Sequence, residues 1–176
     1  QQAVRTPVDR LLRIRAAYYA MITELDEYVG WLVDALHRTD QLDNTLVGYT
    51  SDHREMLGSH GLWHKNVMYE DSVHVPMLMA GPGLPSGITV DAAVGHVDMV
   101  ATMLEVAGAE RPSNLRGTSL LPLMNSGGDD STRFAYSECH CSGKLTGTFM
   151  VRRSDWKYIH FAWYDGLLFN LADDPD

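Results

Sequence analysis

Apolar residues return at every third or fourth position from Ile14 through Tyr18, Met21, Leu25, Val29, Leu32 and Leu36, which puts them on one face of an α-helix. The spacing predicts one long amphipathic helix over residues 8–38, its stripe and aromatic residues packed as core against a sheet. A polar connection, Asp40 to Asn44, leads to Thr45, Leu46, Val47 and Tyr49, whose β-branched and aromatic character predicts a buried strand at 45–50. A second buried strand is predicted at Val75 to Ala80, ahead of the turn-rich break Gly81-Pro82-Gly83-Leu84-Pro85-Ser86-Gly87. These glycines serve geometry; no lysine-bearing helix follows them to complete a phosphate cradle. Residues Asp98 to Val106 read as a helix closed by Gly108, with Asp98 as its cap and His96 capping or packing. Helix followed by strand is the order of a parallel α/β sheet.

From Leu115 the pattern shortens. Beyond the polar, flexible stretch Asn125 to Ser131, runs at Phe134–Ser137, Thr148–Arg152, Lys157–Phe161 and Leu167–Asn170 alternate with turn residues and predict a small antiparallel sheet. The expected organisation is therefore an α/β core over residues 1–125 and a small antiparallel β subdomain over 126–176, with no internal repeat. Trp156, Trp163 and Tyr164 suit either stacking on a sugar or choline group or packing of the sheet itself.

A chain of 176 residues with 45% hydrophobic content can bury one substantial core. The net charge of −9, with its excess after residue 65, argues against a nucleic-acid partner, which needs a basic surface. No apolar run approaches the ~20 residues that span a bilayer, and no basic-then-apolar leader opens the sequence. A soluble chain is expected, cytoplasmic or periplasmic/secreted according to what precedes Gln1. The two cysteines, in Glu138-Cys139-His140-Cys141, form one tight cluster rather than the paired spacings of a zinc site. They read as reduced thiols with no disulfide frame.

The chemistry concentrates where the first strand ends, in Thr50-Ser51-Asp52-His53-Arg54-Glu55-Met56-Leu57-Gly58-Ser59-His60-Gly61-Leu62-Trp63-His64-Lys65. Open α/β sheets bind ligands at the carboxyl ends of their strands. The Asp52 carboxylate offers hard oxygen to Ca²⁺, Mg²⁺ or Mn²⁺, and the His53 imidazole adds a nitrogen or meets a bound anion. Two ligands cannot complete a metal site. Gly58 and Gly61 free the loop to turn Lys65 back towards the strand, where an ammonium could meet a sulfate or phosphate oxygen. The bland alternative is a capped turn followed by a solvated lysine.

This run resembles the second signature of the sulfatase branch of the alkaline-phosphatase superfamily, Ser-Asp-His/Asn-Gly, then Gly-x-x-Gly, then lysine. The resemblance extends through Arg15 to Asp26, which is similar to the helix before this strand. It continues through Glu70-Asp71-Ser72-Val73-His74-Val75-Pro76, Gly95 to Leu104 and Leu168-Phe169-Asn170-Leu171-Ala172-Asp173-Asp174-Pro175, in the family's order. It implies an alkaline-phosphatase-like parallel-sheet sandwich followed by the antiparallel subdomain. It further implies Asp52 and His53 as ligands of a divalent cation, Ca²⁺ foremost and Mn²⁺ or Mg²⁺ as alternatives. Lys65 would be the catalytic residue that touches the transferred sulfuryl group, with His64 and His60 flanking the substrate loop. Histidine at 53 resembles the choline-sulfatase, iduronate-sulfatase and phosphonate-monoester-hydrolase side of the family.

Two departures stand out. Arg54 occupies the family's glycine position, where a left-handed backbone would cost about 1–2 kcal/mol; it could bind an anionic substrate group or serve as an exposed, salt-bridging arginine. The Cys/Ser-x-Pro-x-Arg motif, whose cysteine or serine becomes the formylglycine nucleophile, is missing, as is the strand of acidic ligands that accompanies it. Residues are accordingly expected to be absent before Gln1 and after Asp176, so that this chain supplies the second half of a site and is inactive alone. The implied reaction of the intact protein is metal-dependent hydrolysis of a small-molecule or carbohydrate sulfate ester. The alternatives are a phosphonate or phosphate ester hydrolase or transferase of the same superfamily, and a non-catalytic domain. Homo-oligomerisation is left open.

Overall fold

The computed structural model describes residues 6–140 and 146–174. Two compact units divide the chain, Gln1–Pro82 and Gly83–Asp176, so the boundary expected at 125/126 lies inside the second unit.

The first unit opens with helix α1, Val8–Arg38. Asp9 in its first turn and His37 and Arg38 in its last complement the helix dipole. Thr39 stops it by returning both its N–H (3.1 Å) and its hydroxyl (2.8 Å) to the Ala35 carbonyl. The apolar stripe is present, but no residue of α1 is buried, and Leu32 is 68% exposed. Its aromatic residues are not core either: Tyr28 and Trp31 pack on each other, ring centres 5.2 Å apart. A helix of this length has a face of about 46 Å, which the short ribbon beside it in sequence is too small to cover.

That ribbon is β1 (Val47–Thr50) paired with β2 (Met77–Ala80). The pairing is antiparallel, Val47 opposite Ala80 and Thr50 opposite Met77. The link between the strands holds a short 3₁₀ turn, Ser59–Gly61, and the one-turn helix α2, Glu70–Val73, in place of a long crossover helix. The chain therefore re-enters in the opposite direction. The Thr50 hydroxyl closes the link by donating to the Pro76 carbonyl at 2.9 Å. The buried residues of this unit, Met56, Met68 and Ser72, all belong to the link.

In the second unit, α3 spans His96–Val106 and the short α4 Leu121–Asn125. Gly95, not Asp98, is the N-cap of α3; Asp98 lies at its third position, where its carboxylate accepts from the Gly95 N–H (3.0 Å) and from the Thr118 N–H (2.7 Å). The same carboxylate pairs with the Arg133 guanidinium at 3.1 Å. One buried acid thus fastens a helix start to two later segments. The antiparallel sheet follows as β3 (Ala135–Cys139), β4 (Thr148–Arg153), β5 (Trp156–Phe161) and β6 (Tyr164–Asn170), in that order. Thr148, Met150, Lys157 and Ile159 bury one face. Trp156, Trp163 and Tyr164 are exposed, so packing of this sheet does not account for them.

Cys139 is disulfide-bonded rather than a reduced thiol. Two cysteines exclude a framework of several bridges but not a single bond. Cys141, Pro175 and Asp176 lie outside the described residues.

Candidate active site

Beyond Thr50 the chain turns sharply, with the Ser51 hydroxyl donating to the His53 carbonyl at 2.8 Å and the Asp52 carboxylate accepting from the His53 N–H at 3.0 Å. His53 Nδ1 lies 3.0 Å from the Arg54 carbonyl oxygen. A carbonyl can only accept, so this contact is a hydrogen bond when Nδ1 carries a proton. Nε2 lies 3.5 Å from Asp52 Oδ2; the Asp52 side chain is 84% exposed and that of His53 37%. An imidazole held by one N–H on a backbone carbonyl, its other nitrogen beside a carboxylate, is the arrangement of a metal-binding histidine.

The loop then closes on itself. The Met56 N–H donates to the His64 carbonyl (3.0 Å), Gly58 N–H to Leu62 carbonyl (2.9 Å), and the His64 N–H to the Glu55 carboxylate. Leu57, Gly58, His60, Gly61 and His64 all take positive φ inside this hairpin-like loop. At Gly58 φ is +87°, a conformation strained for any side chain, and an added Cβ would fall 2.7 Å from Leu11 Cδ1 of α1, so that the leucine would have to shift. A second tie to α1 runs from Arg15 Nε to the Leu57 carbonyl at 3.0 Å. The buried Met56 anchors the neck.

Arg54 is not one of the left-handed residues, so the strain anticipated at this position does not arise. Its N–H donates to the Ser72 carbonyl (2.8 Å) and its Nη1 to the His74 carbonyl (3.2 Å), which fastens the Asp52-His53 turn to α2. The reshaped turn moves the positive-φ positions to Leu57 and beyond.

Asp52 and His53 are the site residues whose side chains come together. Lys65 leaves the neck directly after His64 and is exposed, and its carbonyl accepts from the Ser72 hydroxyl at 2.8 Å. His64 is exposed at the neck, engaged through its backbone. His60 stacks on Tyr69, ring centres 4.5 Å apart and 22° between planes. Ser72, Glu55 and Tyr69 are participants that sequence reasoning missed. Glu55 stands nine residues before the histidine whose N–H donates to it.

Among the described residues no group of three or more His, Cys, Asp and Glu side chains is placed to hold a metal ion. The Asp52 and His53 donors nevertheless fit a hard divalent cation in kind, an open carboxylate beside an imidazole whose Nε2 faces it.

The sulfatase family model matches residues 1–109, and that of the C-terminal region of N-sulphoglucosamine sulphohydrolase matches residues 58–176. The chain is 42% identical to arylsulfatase K of Mus musculus over 180 aligned positions, which cover 96% of this chain and 32% of that protein. It therefore spans about a third of the length of the curated relatives it matches. Among solved structures, BT4656 in complex with its substrate D-glucosamine-2-N,6-O-disulfate superposes with a TM-score of 0.81 at 31% identity, over 90% of this chain and 34% of the other. The phosphonate monoester hydrolase SpPMH from Silicibacter pomeroyi gives a TM-score of 0.84 at 27% identity, over 98% and 39%. The chain has an α/β alkaline-phosphatase-like fold with a C-terminal antiparallel subdomain. With one family model covering the Asp52-to-Lys65 loop and a second continuing to the end of the chain, the chain belongs to the sulfatase family.

Proposed function

We infer that this chain forms the cation- and anion-binding part of a sulfuric ester hydrolase within a longer protein. Asp52 and His53 would hold a divalent cation, Ca²⁺ foremost with Mn²⁺ or Mg²⁺ as alternatives, and Lys65 would hold the sulfuryl oxygens. The observation that carries the reading is the Asp52-His53 pair at the end of β1, where His53 Nδ1 is turned to the Arg54 carbonyl and Nε2 faces the exposed Asp52 carboxylate. A bound cation supplies charge neutralisation to the sulfate oxygens. The Lys65 ammonium offers charge to the ester oxygen as its bond to sulfur breaks, while His64 and His60 border the loop on the substrate side. The nucleophile would come from the part of the protein outside this chain, because the sequence holds no Cys/Ser-x-Pro-x-Arg motif. The chain by itself would be inactive.

The substrate class best supported is a sulfated carbohydrate, since a structural neighbour is complexed with a sulfated glucosamine. The exposed Trp156, Trp163 and Tyr164 are suited to sugar faces. Hydrolysis of a phosphonate ester is the second reading, favoured by the similarity to SpPMH. Turnover of p-nitrophenyl sulfate and of a phenylphosphonate ester by the full-length protein separates the two. Lys65→Ala should lower kcat on the preferred ester by roughly 100-fold, the usual loss when one charge-stabilising donor is removed. Parental turnover in Lys65→Ala would leave Lys65 without a catalytic part.

A further inference from the structure

Ser72 is 1% exposed, and the loop is organised around it. Its carbonyl accepts from the Arg54 N–H at 2.8 Å, its hydroxyl donates to the Lys65 carbonyl at 2.8 Å, and its own N–H donates to Tyr69 in the turn that starts α2 at 2.9 Å. Every polar group of this buried serine is thus engaged, as burial requires. Two of its bonds reach the two halves of the site: one the turn that carries Asp52 and His53, the other the residue that carries the ammonium.

The bonds form a closed ring. From Arg54 the chain runs through Glu55 and Met56 to the neck, crosses by the Met56-to-His64 bond (3.0 Å), passes to Lys65, and returns through Ser72 to Arg54. Without the serine hydroxyl, Lys65 is held only from the His64 side of this ring. Lysine carries its ammonium on a flexible four-carbon stem, and the Ser72 hydroxyl holds the root of that stem at the Lys65 carbonyl.

We propose that Ser72 is the positioning residue for Lys65, setting the location of the ammonium relative to the Asp52-His53 pair. This rests on the reading of Lys65 as the sulfuryl-binding residue. Arg54 takes part through its main chain and its guanidinium: its N–H donates to the Ser72 carbonyl, its Nη1 donates to the His74 carbonyl, and its own carbonyl lies against His53 Nδ1.

The test is a double-mutant cycle in the full-length protein, with kcat, KM and metal content measured for Ser72→Ala, Lys65→Ala and the pair. Ser72→Ala removes the hydroxyl and keeps the carbonyl bond to Arg54. It should lower kcat about tenfold, a fraction of the 10²-fold expected for an ångström of misplacement, with metal content unchanged. Added to Lys65→Ala, it should have no further effect on kcat, a pattern that general loosening of the fold would not produce. If Ser72→Ala lowers folded yield, Ser72→Cys, of similar size and with only a weak donor, should show the same dependence on Lys65. Parental kcat in a folded Ser72 variant, or an equal loss in the presence and absence of Lys65, would overturn the proposal. Parental kcat in Lys65→Ala would instead remove the functional reading beneath it.

Discussion

Both ring nitrogens of His53 face oxygen, Nδ1 the Arg54 carbonyl at 3.0 Å and Nε2 the Asp52 carboxylate at 3.5 Å. The sequence showed an acid beside a histidine; the orientation of the ring follows only from the backbone turn that brings residue 54's carbonyl within 3.0 Å of Nδ1. Asp130 shows the same sensitivity to local partners. The Thr132 hydroxyl (2.6 Å) and N–H (2.9 Å) both donate to one of its carboxylate oxygens, and these bonds hold its pKa below the usual carboxylate value, the hydroxyl contributing most. Its ionised form is favoured in the folded state. The resulting stabilisation is present above the unfolded pKa and fades as pH falls through the lower folded value. Thr132→Val removes the hydroxyl and keeps the N–H, so the Asp130 titration followed by carboxyl NMR should move up in pH. An unmoved midpoint would show that the hydroxyl bond does not govern it.

At the scale of elements, what the sequence disclosed and what it concealed divide along physical lines. The unbroken three-and-four spacing predicted residues 8–38 as helix, and α1 spans Val8–Arg38; the alternating runs after Phe134 correspond to β3 to β6. A stripe says which face of a helix is apolar but not what covers it, which is why the predicted burial of Met21, Leu25 and Leu32 is not found. Strand direction leaves no trace in a period of two, so the antiparallel β1–β2 pairing was not legible, nor were bonds made through main-chain atoms at Arg54 and Ser72. Asp98 was legible as a helix-entry residue, although its ties to Thr118 and Arg133 were not. Asp98→Ala deprives two N–H groups and one mostly buried guanidinium of their acceptor. It should lower stability by about 3 kcal/mol, the scale for breaking a buried ion pair, as read from urea unfolding of the full-length protein. A change below about 0.5 kcal/mol, the range of ordinary surface substitutions, would mean that these bonds are replaced by water.

At the scale of the whole molecule, this chain matches relatives about three times its length, and its longest helix has no buried residue. As proposed above, such a chain lies within a longer protein. The proposed activity therefore belongs to the full-length protein, where further ligands and the nucleophile would join Asp52, His53 and Lys65. The most direct measurement is the divalent-metal content of that protein and of its Asp52→Ala and His53→Ala variants, purified side by side, with Asp43→Ala as a control away from the loop. The parent and the control should retain a bound divalent cation, and both site variants should lose it while remaining folded. Unchanged metal content in Asp52→Ala and His53→Ala would contradict the assignment of this pair as the cation-binding part of a sulfatase site.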